Sequence, residues 1–210
     1  MIVSRHRRGL ARLAVRAGLV AAAIVTWTLV STAVVLVTPV NRCTLFIQDT
    51  LLVGDAAPSF VMDDLATGDP VFLSDFTGRT LRQPWKNSPR QVVVLCFWSS
   101  WSDPSVKEID ELSRIAGNFS GKPVTVFLVD TKEHAGTTAQ AIQKIVEERG
   151  YRLRVLMDAT GTVADRYSVH TVPSTFVVNK YGVLKMSHHG PGIAQRAGFE
   201  SLLSTLAEEP

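Results

Sequence analysis

The chain has 210 residues, 46% of them hydrophobic, with 14 glycines and 10 prolines. That is enough for one sizeable domain plus a tail, and it lacks the bias of a disordered or collagen-like sequence. The net charge of +3 is unevenly placed: residues 1–17 hold five arginines (Arg5, Arg7, Arg8, Arg12, Arg16) and no acid, whereas beyond Arg42 16 Lys and Arg against 19 Asp and Glu leave −3. The basic character therefore belongs to the N-terminal tip and argues against a nucleic-acid partner.

Residues 18–40, GLVAAAIVTWTLVSTAVVLVTPV, contain no charge. As a helix they extend about 34 Å, enough to cross a ~30 Å hydrocarbon layer. The arginines before them are expected to stay in the cytoplasm, placing the C-terminal bulk on the far side. Ser31–Ala33 has the small residues of a signal-peptide cleavage site, but the apolar run continues past it, so an uncleaved single-pass anchor is the preferred reading. Trp27 falls mid-span, and Pro39 and Asn41 end the helix. The expected organisation is a cytoplasmic tip (1–17), a transmembrane helix (18–40), a tether (41–52) and an outer domain (53–208).

In that domain, FVMDDLATGDPVFLSDF reads as a hairpin turning at ATGDP. Residues 77–91 are polar, basic and proline-bearing, a surface loop. VVVLCFW (92–98) is a continuous apolar run of the kind found in strands buried on both faces. Residues 104–117 place Val106, Ile109, Leu112 and Ile115 on one helical face. A strand (123–130), a helix closed by Gly150 (137–150), a strand (153–158) and a short helix (161–167) follow. Two strands joined at NKYG and a last helix (194–206) complete an α/β domain with a central sheet.

Between the 92–98 strand and its helix lies SSWSDPS. Ser102 or Asp103 is placed to cap the helix, Pro104 suits its first turn, and Ser105 with Glu108 spells a capping box. Neither cysteine belongs to a C-x-x-C pair: Cys96 reads as a core residue, and a Cys43–Cys96 disulfide is disfavoured because it joins a buried strand to the membrane-side tether. Ser102 as a nucleophile has only His170 as a base, with no third group to orient it. His188 and His189, adjacent in a strand, point to opposite faces and do not share a metal with Met186. His134 reads as a solvated loop residue. No metal and no cofactor are implied.

Three segments carry a resemblance: GDAAPSF…LSDFTGR, VVVLCFWSSWSDPSVKEIDEL and DRYSVHTVPSTFVVNKYGVL. Together they resemble the membrane-anchored thioredoxin-like redoxins of the TlpA/ResA type across about residues 53–207. The resemblance implies a thioredoxin-like fold: a central mixed β-sheet flanked by helices. It also implies an extracytoplasmic (periplasmic) domain on the bacterial inner membrane, and a cis Pro173 facing the helix start. It expects a W-C-x-x-C dithiol where this chain has Trp101, Ser102, Asp103, Pro104 and Ser105.

A helix N-terminus favours a thiolate that attacks a disulfide, and a second thiol releases the product. Serine does neither. The leading expectation is thus a redox-inactive member that holds a protein partner in a groove formed by Trp101, Asp103, Pro104, Val172 and Pro173, in envelope thiol traffic, cytochrome maturation or oxidase assembly. The alternatives are an oxidoreductase completed by thiols from another chain and a structural subunit of a membrane complex.

Overall fold

Seven consecutive apolar residues, Val92–Trp98, form the central strand and are all buried, as a strand packed on both faces requires. In the computed structural model, which describes residues 51–193 and 195–210, the elements run β1 (Val61–Asp64), β2 (Pro70–Phe72), β3 (Val92–Trp98), α1 (Asp103–Asn118), β4 (Val124–Asp130), α2 (Ala139–Arg149), β5 (Arg154–Met157), α3 (Thr162–Arg166), β6 (Ser174–Val178), β7 (Leu184–His189) and α4 (Phe199–Glu208). The tip, the apolar span, Cys43 and most of the tether lie outside the described residues. Among the described residues no helix is long and apolar enough to cross a membrane.

The strands form one mixed seven-stranded sheet in the order β2-β1-β5-β4-β3-β6-β7. β3, β4 and β5 are parallel, while β6 and β1 run antiparallel to their inner neighbours. Alternation along β3 divides the core. Val93, Leu95 and Phe97 pack with Phe127, Tyr167, Phe176 and the α3 residues Val163 and Ala164. Val92, Val94, Cys96 and Trp98 pack with Ile109, Leu112 and Ile115 of α1, Ile142 of α2 and Phe199 and Leu203 of α4. This is the expected thioredoxin-like arrangement.

The ATGDP hairpin forms with Val61 opposite Phe72 and Asp63 opposite Pro70. α2 closes at Gly150, whose φ of 67° is the left-handed conformation glycine accepts most readily. On α1, Val106 is only half-buried, and Ser105 and Glu108 join the buried face instead. The last helix corrects the expectation by five residues. It starts at Phe199 rather than at residue 194, because Gly198 before it has a φ of 88° and Gly192 and Ile193 donate their amides to Glu108.

Candidate functional site

α1 starts at the carboxyl end of β3, where the chain turns through Ser99–Ser102. The turn is held by the loop after β4: Ser99 Oγ donates to Thr131 O, and Glu133 accepts from the Ser100 amide and from Ser100 Oγ, the latter at 2.7 Å. Trp101 leans onto this loop. Its ring stacks on His134 with centroids 5.5 Å apart, and its Nε1 donates to Lys132 O at 3.1 Å. His134, expected as a solvated loop residue, is exposed but serves as the platform for Trp101. Sequence reasoning missed Lys132 and His134 because their place depends on β3–β4 pairing, not on any local pattern.

Ser102 and Ser105 are brought together and buried. Ser105 Oγ donates to Ser102 Oγ at 2.9 Å, so the two hydroxyls satisfy one another. Ser102 is the N-cap residue by backbone geometry, but its side chain makes no capping bond, and Pro104 occupies the first turn as expected. The anticipated capping box is not formed. Glu108 instead reaches across to accept from the Gly192 and Ile193 amides at 2.6 and 2.9 Å, a pairing 84 and 85 residues away that no local motif announces. Those charge-assisted bonds tie the α1 face to the loop before α4.

Opposite the helix start, the Val172–Pro173 peptide is cis, as the resemblance implied. A groove of about 450 Å³ separates the two segments, with Trp101, Ser102, Asp103 and Pro104 on one side and Lys132, His170, Thr171 and Val172 on the other. Of the expected groove residues Pro173 alone does not line it, being buried behind Val172. Val172 lies outside the strands, and its amide and carbonyl make no hydrogen bond among the described residues. The Lys132 ammonium, on the same wall, donates to Val169 O.

Among the described residues Cys96 is the one thiol, and it lies away from the groove. Cys96 has zero exposure inside β3, and burial pushes its thiol up to about 12, with the Glu108 charge adding to the rise and a hydrogen bond to Thr175 opposing it. Such a group stays protonated and inert. His188 and His189 diverge: His188 Nε2 lies 3.2 Å from Pro191 O, and His189 Nδ1 3.1 Å from Ser174 Oγ. Burial lowers the His189 pKa, and His170 and His188 lower it further.

Residues 53–187 match the AhpC/TSA family, and the chain belongs to it. The thiol-disulfide oxidoreductase ResA of Bacillus subtilis is 27% identical over 135 residues, 64% of this chain and 66% of that protein. ResA of Geobacillus kaustophilus is 27% identical over 138 residues, 66% and 70% of the two chains. Among solved structures, the thioredoxin domain of a thiol-disulfide oxidoreductase from Bacteroides vulgatus superposes with a TM-score of 0.57 at 21% identity, covering 74% of this chain and 99% of that one. StoA from Bacillus subtilis superposes with a TM-score of 0.54 at 19% identity, covering 70% and 99%. These structural likenesses carry the fold, and the sequence relatives are thiol-disulfide oxidoreductases to which the chain is similar.

Proposed function

We propose that this protein is a membrane-anchored, extracytoplasmic ResA-like redoxin that has given up thiol–disulfide exchange and holds a protein partner in the Trp101–Val172 groove. The observation that carries this reading is the Ser102–Ser105 pair. Two buried hydroxyls bonded to each other at 2.9 Å stand at the helix start where the family resemblance expects the dithiol. Hydroxyls form no disulfide, and Cys96 is too deeply buried to substitute.

The groove has the means to bind. The Val172 amide and carbonyl are open to pair with an extended segment, in the manner of strand addition. Trp101, 49% exposed, offers apolar area beside them. The partner is therefore an unfolded or extended polypeptide segment held by backbone pairing, and envelope thiol traffic or cytochrome maturation is the setting that the resemblance to TlpA/ResA-type redoxins suggests. Residues 18–40 anchor it with the N-terminus inside and the domain outside.

Capture of partners from solubilised membranes by the full chain tests the groove. Trp101→Ala is expected to weaken capture by ~1–2 kcal/mol, as loss of an aromatic anchor does, with a smaller change in thermal stability. Capture is expected to survive without any intermolecular disulfide. Normal capture by Trp101→Ala places the contact elsewhere.

A further inference from the structure

Beside the groove, and sharing Lys132 with it, lies a larger cleft of about 800 Å³. Six acids line it: Asp63 and Asp64 of β1, Asp130 at the end of β4, Glu133 in the loop that follows, Asp158 after β5 and Asp165 of α3. Lys132 is the one Lys or Arg in the lining, and its ammonium donates to Val169 O. Arg154, outside the lining, is paired with Asp64 at 2.8 Å. None of the other five acids has an ion pair among the described residues.

Three of these acids meet below the surface and are held differently. Asp158 accepts from the Val163 and Ala164 amides at 3.1 and 2.8 Å and from Thr131 Oγ1 at 3.2 Å. Glu133 accepts from the Ser100 amide and hydroxyl. Asp130, 3% exposed, stands beside Glu133 and in the field of Asp158, and its Oδ1 has no hydrogen-bond partner. An ionised carboxyl there lacks both a donor and a counter-ion, a costly state in a protein interior. The group holds a proton instead: burial pushes it up to about 8, and Glu133 and Asp158 add to the rise. Asp63 and Asp165, exposed at the rim, extend the negative field outward.

We propose that this cleft binds a primary alkylammonium group, whose N–H donors meet the unpartnered Asp130 oxygen while its stem lies along the apolar side chains of Ala139, Ile142 and Met157. A metal ion suits the cleft less well, because among the described residues no three acidic, thiol or imidazole side chains are placed to hold one. The cleft has the volume of a small organic ligand's site. An ammonium is a compact charge with three donors, which suits carboxyls arriving from separate elements, whereas a guanidinium fork matches a single carboxylate. On binding, the cation replaces the proton on Asp130: the carboxylate pairs with the ammonium, and the proton passes to the solvent. The site stands whether or not the groove holds a polypeptide. A free alkylamine and a lysine side chain both carry this chemistry.

The test is isothermal titration of the full chain in nonionic detergent with n-butylamine and, separately, with Nα-acetyl-lysine methylamide, amines that stay cationic at pH 6 to 8. Binding is expected to strengthen about tenfold between pH 6 and pH 7 and to level off above about 8, where Asp130 is already ionised. At pH 7 close to one proton is expected to leave for each amine bound, read from the dependence of the heat on the buffer's ionisation enthalpy. Asp130→Asn has the same size and no charge, and it keeps Glu133, Asp158, Lys132 and His134 in place. It is expected to weaken binding at pH 8 at least tenfold and to abolish the proton release. The proton count on the unsubstituted chain is decisive even where the variant fails to fold. Tighter binding of the lysine derivative assigns the ammonium to a polypeptide side chain, and tighter binding of butylamine assigns it to a free amine. No binding of either probe at millimolar concentration overturns the inference, as does binding at pH 7 without proton release or binding unchanged by Asp130→Asn.

Discussion

Glu108 is almost fully buried, yet it is a carboxylate, and its oxygens are engaged by two backbone amides at 2.6 and 2.9 Å. Removing it leaves both amides without that acceptor in a protein interior, so Glu108→Ala is expected to cost about 3 kcal/mol. Glu108→Gln, which keeps an acceptor oxygen, costs less; urea unfolding of the two variants measures the difference. The residue types at the helix start were legible in the sequence, including the replacement of both expected cysteines and the position of Pro104. Their bonding was not. Ser102, Ser105 and Glu108 read as local caps, whereas in the fold the serines bond each other and Glu108 serves a loop more than 80 residues away. Local spacing reports what a side chain is able to reach along its own helix, and a buried helix face is decided by what packs across from it.

Among the elements, β3 and the hairpin were legible because apolar runs and turn residues act locally. The start of α4 was not, because Gly198 and the Glu108-bound loop override an acceptable helical pattern. The loop after β4 is the least legible element and the one that shapes the site, carrying Glu133, Lys132 and His134 to the helix start. At its root Asp130 is buried and its Oδ1 has no hydrogen-bond partner. Burial pushes this acid up to about 8, helped by the neighbouring carboxylates of Glu133 and Asp158. The folded chain thus keeps a proton that the unfolded chain releases near pH 4. The unfolded state binds fewer protons across the interval from about 4 to 8, and stability falls as pH rises through it, with a slope of at most ~1.4 kcal/mol per pH unit. Asp130→Asn, neutral throughout, is expected to flatten that decline. Thermal melts of the two chains at pH 5 and pH 8 check it: an unchanged slope means that Asp130 is ionised in the fold.

At the scale of the whole molecule, the sheet separates two poles. The groove lies where the parallel strands end, and the loops of residues 77–91 and 179–183 lie where they begin. Membership of the AhpC/TSA family and likeness to thiol-disulfide oxidoreductases argue for redox chemistry, and the Ser102–Ser105 pair argues against it. The measurement that decides is reduction of a small-molecule disulfide by dithiothreitol with the chain present. The unsubstituted chain is expected to leave the rate at that of dithiothreitol alone. The chain carrying Ser102→Cys and Ser105→Cys is expected to raise it, because the helix start, Trp101 and Pro173 that surround the pair are in place. Turnover by the unsubstituted chain, with Cys96 buried and serines at the helix start, would contradict the account.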